Sequence, residues 1–390
     1  MNKKAAVITS FSWIFMVIIG SFFILFAYNV ISTYQENEEY KQQLEFKSTM
    51  QSIFKKVGYG KGSETTSLEK INYVFEDSRV ELLCNDGFPI LSVNGDLDGG
   101  NDYLKNYPFF MTVIEQDRVD EVYIAVEELD LPFYITPLMA LVSQRNLYVF
   151  DDEIWDSTFK DKFSRTSAFK ELNTKVVDLN DPNPDILKDF FLEIETLELS
   201  SITFVSSDTS YREIQLPSSM SQTQRINLAI TQEDKRHTYS GNSYDYTSGQ
   251  ILYKTTSYWN SDLSLKYTFN YTDYKNSMTL PTFALFSTPE SFSCGMETID
   301  KLLSSTSSYY LQKNTLMIDE ITNEFSSGKY CSENPNKNDI LLAYTSLRLA
   351  LNNLYQKQDR FKNIDELNSL LDELWISKER LEINNCIDIY

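Results

Sequence analysis

Four aspartates stand at or just beyond the ends of three short apolar runs in the middle of the chain. They are Asp151, Asp152, Asp178 and Asp208. The carboxyl ends of neighbouring parallel strands meet at one edge of a sheet, where ligands bind, and clustered carboxylates suit a divalent cation. The same residue types are ordinary in loops and at helix caps, and no glycine-rich phosphate loop follows any of the three runs. The sequence therefore predicts a ligand cleft at these aspartates, with plain loop residues as the simpler interpretation.

A second acidic segment resembles the first half of a calcium-binding loop. Asn94, Asp96 and Asp98 supply oxygen ligands at the first, third and fifth positions, and Gly99 follows at the sixth. The twelfth position, which a bidentate glutamate normally fills, is Lys105. A turn is favoured over calcium here, because Asp-Gly-Gly is also a good turn sequence. Calcium is the one cofactor that the sequence suggests.

The chain has a single histidine, His237, which excludes several classes of enzyme. A Ser-His-Asp or Cys-His set would have to use this residue, and zinc sites built on paired histidines are excluded. His237 follows a charged run and is expected in an exposed loop. We find no catalytic constellation, so the sequence argues against an enzyme.

Four cysteines allow three disulfide pairings, and the predicted helices favour one of them. Cys331 and Cys386 flank the outer ends of a predicted antiparallel helical hairpin, which would bring them together. Cys84 and Cys294 are then left for each other. Free thiols are the competing interpretation, and an oxidising compartment disfavours it.

The charge of the chain argues against nucleic acid as a partner. The formal net charge is −21, and the 56 acidic residues all lie beyond residue 35. Such a surface would repel a phosphate backbone, which basic grooves normally attract.

Residue patterns predict a mixed α+β fold. Three apolar runs at 146–150, 175–179 and 202–205 alternate with two helical segments, which indicates a small parallel α/β unit. Residues 211–286 alternate polar and apolar side chains and indicate antiparallel strands; they include the glycosylation sequon at Asn270. The last hundred residues show helical spacing and predict a hairpin or small bundle.

The amino terminus predicts a membrane anchor. Residues 11–31 are apolar and uncharged, which is the length that a helix needs to cross a bilayer. Lys3 and Lys4 precede this span and Glu36 follows it, so the short amino terminus is expected in the cytoplasm and the rest outside. A cleaved signal peptide fits less well, because the apolar run is too long and no small-residue cleavage site follows it.

The predicted organisation places boundaries at changes of pattern. The segments are a cytoplasmic amino terminus at 1–10, a transmembrane helix at 11–31, a membrane-proximal helix at 32–60, an α/β ectodomain at 61–210, an antiparallel β region at 211–290 and a helical region at 291–390.

Two resemblances go beyond these patterns. Lys4-Ala5-Ala6-Val7 before an apolar helix resembles the processing site of archaeal pilin-like precursors, although Ser10 stands where many pilins carry a glutamate. The start at Lys3, the motif Ser12-Trp13-Ile14-Phe15, the segment Leu131-Pro132-Phe133 and the late cysteine pair resemble uncharacterised membrane-anchored proteins of small-genome archaea. That group implies an origin and a topology, and no activity.

The sequence thus predicts a structural or interaction protein of the cell envelope. Its partners are expected to be the lipid bilayer, through residues 11–31, and other envelope proteins. The alternatives are a subunit of a pilus-like filament, or a sensor or ectoenzyme that uses the aspartates at the strand ends.

Overall fold

The structure is a computed structural model, and it describes a defined set of residues. They are 21–34, 41, 48, 52, 67–72, 80–85, 88–93, 108–111, 121–131, 133–152, 155, 160, 172–178, 189–190, 199, 201–206, 225–238, 245–256, 265–274, 279–323, 337–383 and 386. The chain divides into two units, residues 1–60 and residues 61–390.

In the first unit, residues 21–34 form a helix, α1, that carries apolar side chains on its surface. Its side chains at positions 22–26 are all more than 60% exposed. This helix covers only residues 21–31 of the predicted membrane span, because residues 11–20 lie outside the described residues. No helix formed by the described residues is both long and apolar enough to cross a membrane.

The described part of the second unit contains strands that form three sheets. The strands are Ser67–Asn72 (β1), Val80–Asn85 (β2), Phe88–Val93 (β3), Phe109–Met111 (β4), Glu121–Leu131 (β5), Phe133–Ser143 (β6), Asn146–Asp151 (β7), Asn173–Val177 (β8), Ser201–Ser206 (β9), Arg225–Thr238 (β10), Asp245–Thr256 (β11) and Leu265–Tyr274 (β12). The helices of this unit with described bounds are Thr279–Leu285 (α2), Pro289–Asn323 (α3), Lys337–Gln356 (α4) and Ile364–Ile383 (α5), with a short 3-10 turn at Arg360–Lys362. The prediction of a mixed α+β fold is confirmed.

A four-stranded sheet has the order β1-β5-β6-β4. Strand β5 pairs antiparallel with β1 and β6, whereas β4 lies parallel to β6. Strand β6 is buried at every position except Tyr134. Such a nearly continuous apolar run is typical of a strand covered on both faces.

A six-stranded sheet has the order β12-β11-β10-β9-β7-β8. Strands β8, β7, β9 and β10 are parallel to their neighbours, and β10, β11 and β12 are antiparallel. Strands β7 and β9 are buried along their whole length. The three predicted parallel strands are therefore present, and they form one end of a larger sheet, with β8 as its edge strand.

Two boundaries differ from the sequence-based prediction. The boundary at residue 211 does not separate two sheets, because β10 pairs in parallel with β9. Helix α2 and the start of helix α3 also fall within residues 211–290, which were predicted as antiparallel strands. Alternating polarity indicates a strand but carries no information about its neighbour, which is why the sequence suggested a separate region.

The hairpin of β2 and β3 forms a two-stranded sheet of its own. A disulfide between Cys84 of β2 and Cys294 of α3 attaches it to the helix, with the Cα atoms 5.6 Å apart. The ammonium group of Lys301 lies 4.0 Å from the centre of the Phe88 ring and adds a cation–π contact between the two elements. The predicted Cys84–Cys294 pairing is confirmed.

The start of α3 is fixed against the edge of the four-stranded sheet. The backbone N–H of Met111 in β4 donates to Ser291 Oγ at 2.9 Å, and the N–H of Thr288 donates to the Met111 carbonyl at 3.0 Å. Gly295 is required at this contact, because a Cβ atom there would lie 2.3 Å from the Phe110 ring. The α3 segment thereby satisfies backbone groups of an edge strand, which would otherwise invite pairing with another chain.

Helices α3, α4 and α5 pack through leucines and isoleucines at helical spacing. The buried residues of α4 are Ile340, Ala343, Tyr344, Leu347, Ala350, Leu351 and Leu354. They belong to the same hydrophobic core as Phe110, Tyr148 and Phe286 of the sheet region. The predicted C-terminal helices are confirmed, and they complete the core of the unit.

The turn between α4 and α5 is held by a buried arginine. Arg360 is 2% exposed, and its Nε and NH2 groups donate to the carbonyls of Leu354 and Tyr355 at the end of α4. Its NH1 group donates to the carboxylate of Asp300 in α3 at 3.0 Å. Asp359 adopts the left-handed conformation, with φ 51°, just before the arginine. The side chain therefore caps one helix and joins it to another.

Candidate functional site

The order of the parallel strands places a topological switch point at the carboxyl ends of β7 and β9. The chain passes from β7 to β8 on one side, returns across β7 to β9, and then continues from β9 to β10 on the other side. The connections that follow β7 and β9 therefore leave in opposite directions. In open α/β sheets, this switch point between neighbouring strand ends is where ligands bind.

The carboxyl ends of these strands carry polar residues. Asp151 is the last residue of β7, Ser206 is the last residue of β9, and Asp178 follows β8 directly. Asp152 comes next after Asp151. The side chains lie at one edge because β7 is paired in parallel with both β8 and β9.

The structure brings three of the four predicted cleft residues together. One carboxylate oxygen from each of Asp151, Asp152 and Asp178 lies within 4.8 Å of the others. Asp151 is 1% exposed, whereas the other two carboxylates are exposed. Ser206, which is also buried, donates a long hydrogen bond of 3.4 Å from its Oγ to Asp151 Oδ2. The cluster is thus open on one side and buried on the other.

Serines at both ends of β9 hold the register that forms the site. At the amino end, Ser201 Oγ donates to Asn146 Oδ1 of β7 at 2.8 Å. At the carboxyl end, Ser206 contacts Asp151 at the same sequence separation. A shift of one residue between β7 and β9 would break both contacts and turn the side chains to opposite faces.

The far face of β7 carries a second buried polar group, Tyr148. Its hydroxyl lies near Asn146, but no described residue gives it a hydrogen bond of normal geometry. Burial raises the pKa of the Tyr148 phenol well above its ordinary range. The ring packs edge-on against Phe286, with the ring centres 5.5 Å apart. This group faces the core and lies apart from the acidic cluster.

The chemistry that the cluster offers is that of hard oxygen ligands. Three carboxylates at this spacing can share one Ca²⁺ or Mg²⁺ ion, which both prefer oxygen donors. Like charges this close also raise the free energy of the folded state unless a cation balances them. A bound cation would in turn attract the carboxylate or phosphate group of a ligand placed at these strand ends.

Other residues singled out in the sequence lie elsewhere. Asp208, the calcium-like segment at Asn94, Asp96 and Asp98, and Cys331 are outside the described residues. Asn270 lies in β12, where it pairs with Gln250 of β11. His237 lies in β10, paired with Tyr246, and not in the loop that was expected. A charged run before it suggested a loop, but a bulge between Glu233 and Lys235 lets the strand continue through that run.

The second predicted disulfide is described at one end. Cys386 belongs to a disulfide, while its predicted partner Cys331 lies outside the described residues. The Cys331–Cys386 pairing therefore stays a prediction.

The Arg360–Asp300 pair was not predicted from the sequence. Arg360 lies in the short polar connection between two predicted helices, where arginine is normally exposed. Asp300 lies sixty residues earlier in α3, and neither spacing nor composition connects the two.

No family model, curated protein or solved structure matches this chain.

Proposed function

We propose that this chain is a membrane-anchored protein of the cell envelope whose large unit acts outside the cytoplasm by binding other proteins. The disulfide between Cys84 and Cys294 carries this proposal. It joins residues 210 positions apart in the chain, and it is a structural link between a hairpin and a helix. Disulfides of this kind persist in oxidising compartments and are rare in the cytoplasm.

Helix α1 supports the anchor. Its exposed side chains include Phe22, Phe23 and Ile24, whose exposures lie between 66% and 72%. A helix with such a surface is unfavourable in water, because each apolar side chain left exposed forgoes about 1.5–3 kcal/mol of burial. Lipid is the surrounding that the uncharged sequence from residue 11 to residue 31 fits best.

Orientation can be tested together with the disulfides. Intact cells are treated with a membrane-impermeant protease, and a parallel sample is alkylated, extracted without reductant and mapped by mass spectrometry. We expect residues 61–390 to be digested, and we expect cross-linked peptides that contain Cys84–Cys294 and Cys331–Cys386. Alkylated thiols at Cys84 and Cys294, or protection of residues 61–390, would contradict the proposal.

A matched pair of variants identifies the cause of the orientation. Reversing the charges before the span, with Lys3→Glu and Lys4→Glu, should lower protease accessibility because it removes the cytoplasmic positive charge. Lys41→Glu together with Lys47→Glu makes the same change of charge after the span and should leave accessibility unchanged. Equal effects of the two changes would show that the predicted span does not set the orientation.

A second candidate function is cation-dependent ligand binding at the switch point of the six-stranded sheet. It is favoured by the three carboxylates of Asp151, Asp152 and Asp178 within 4.8 Å of one another. In this role the large unit would act as a sensor or binding module. Thermal unfolding of the wild-type protein and of Asp178→Asn, with and without Ca²⁺ or Mg²⁺, tests this role.

A further inference from the structure

One outer face of the α4–α5 hairpin carries four exposed aliphatic side chains. Leu342 and Leu349 of α4 are 62% and 60% exposed, and Ile376 and Ile383 of α5 are 38% and 66% exposed. Each pair is spaced by seven residues, which is two helical turns. We call these four residues the hairpin face.

Two hydrogen bonds between the helices show that the four residues share one side of the hairpin. Asn353 Nδ2 donates to Glu373 Oε2 at 3.3 Å, and Arg380 NH1 donates to Ser346 Oγ at 3.4 Å. Both bonds join the outer margins of α4 and α5. Because side chains three and four residues apart are neighbours on a helix, the positions next to this row belong to the same face.

The same bonds fix which residues lie level with each other. Leu349 lies four residues before Asn353, and Ile376 lies three residues after Glu373, so these two stand at nearly the same height on antiparallel helices. The same count from the bond between Ser346 and Arg380 places Leu342 level with Ile383. The hairpin face therefore consists of two level pairs of aliphatic side chains. The two hydrogen-bonded polar pairs, which we call the polar row, alternate with them along the helices.

The hairpin that carries this face, residues 337–383, is nearly balanced in charge, with seven basic and eight acidic residues, although the chain as a whole carries −21. The polar row contains one arginine and one glutamate, and the hairpin turn adds an ion pair between Lys357 and Glu366. A second molecule of the same net charge could approach this face without meeting an excess of negative charge. Elsewhere on an acidic protein, two copies would repel each other.

We propose that the hairpin face binds a second copy of this chain. A two-fold axis would place the hairpin face of one copy against that of the other, as in an isologous dimer. Seven-residue spacing on both helices is the repeat that packs helices side by side in bundles, so two hairpins would form a four-helix arrangement. This gives the proposed interaction role a partner, and it rests on that role because anchoring in a membrane raises the effective concentration of neighbouring copies.

The mass of the full-length protein in detergent micelles tests this proposal. Multi-angle light scattering at micromolar concentration should give twice the chain mass. The double variant Leu342→Asp and Leu349→Asp should be monomeric, with the dissociation constant raised at least about tenfold, because it places unpaired charges in an apolar contact. Leu316→Asp is the control, since Leu316 is 70% exposed on α3 and lies outside the hairpin face.

Each other result overturns the proposal. A monomeric wild-type protein does so directly. A dimer that survives the double variant, or one that Leu316→Asp also separates, would show that another surface forms it. Thiol labelling completes the test: if maleimide failed to modify Leu342→Cys in a monomer, another segment of the same chain would cover the face. Protease accessibility and the two disulfides are separate measurements, so failure of the dimer is distinguishable from failure of the envelope proposal.

Discussion

The helical hairpin and the carboxyl edge of the six-stranded sheet both bury an ionisable side chain, but they surround it differently. Arg360 donates to two helix-end carbonyls and to the carboxylate of Asp300, so the fold itself accounts for the charge. Asp151 lies instead beside two further carboxylates. The first arrangement stabilises a turn. The second places groups of the same charge type side by side, an arrangement that is common at binding sites.

The largest effect on stability is expected when the Arg360 side chain is removed. Arg360→Ala leaves Asp300 and two helix-end carbonyls without their donor, so we expect the free energy of unfolding to fall by about 3–5 kcal/mol. Urea denaturation measures the change. Lys362→Ala is the control, because Lys362 makes an exposed pair with Asp359 and should cost at most about 1 kcal/mol. Equal losses in the two variants would mean that burial gives Arg360 no special role.

The second prediction concerns the acidic edge and a cation. Calcium or magnesium at a hundredfold excess over its dissociation constant should stabilise the protein by about 2.7 kcal/mol, because the ion balances three neighbouring carboxylates. Thermal unfolding with and without the cation measures this. Asp178→Asn should abolish the shift, and Asp189→Asn, at an exposed helical position, should retain it. A shift that persists in Asp178→Asn would place the cation elsewhere.

The third prediction uses the same cluster without any cation. Replacing Asp152 and Asp178 together by asparagine removes like charges next to Asp151, so the melting temperature should rise by about 1–2 °C in a chelator. The control is again Asp189→Asn, which should not raise it. A lower melting temperature in the double variant would show that the cluster stabilises the fold, as Arg360 does.

The smallest effect is expected at Tyr148. Its buried hydroxyl has neither an ion pair like that of Arg360 nor neighbouring carboxylates like those of Asp151. Tyr148→Phe should change the free energy of unfolding at pH 7 by less than about 0.5 kcal/mol, because it removes no normal hydrogen bond.

The pH dependence at Tyr148 follows from the direction of its pKa shift. The folded state raises the pKa of this phenol, so the unfolded chain releases its proton first as the pH rises. The associated stability is complete below about pH 10 and is lost above it. Alkaline denaturation of Tyr148→Phe should therefore begin at a higher pH than that of the wild-type protein. Identical curves would show that this tyrosine does not titrate during unfolding.

Local pattern was sufficient for many elements of this fold. The apolar runs at residues 146–150 and 202–205 predicted β7 and β9 within one residue at each end. Because parallel strands gather their carboxyl ends, the proximity of Asp151 and Asp178 could also be predicted. Helical spacing predicted α4 and α5 in the same way.

Contacts between distant segments could not be read in this way. Nothing in the sequence of β10 indicates that it pairs with β9, since a strand pattern is the same in parallel and antiparallel surroundings. Arg360 presents a similar case, because the partners that bury it come from α3 and from the end of α4. Such contacts depend on how completed elements pack together, and a single sequence records that only indirectly.

The attachment of α3 to the edge of the four-stranded sheet has a consequence for the timing of folding. Met111 and Ser291, which accepts its N–H hydrogen bond, are 180 residues apart in the chain. Cys84 and Cys294 are 210 residues apart. At about 5–20 residues per second, a ribosome needs roughly 10–40 s to supply the missing segment. During that interval the edge of β4 and the thiol of Cys84 are open to other molecules. A chain of this design depends on whatever shields its early strands while its last third is being made.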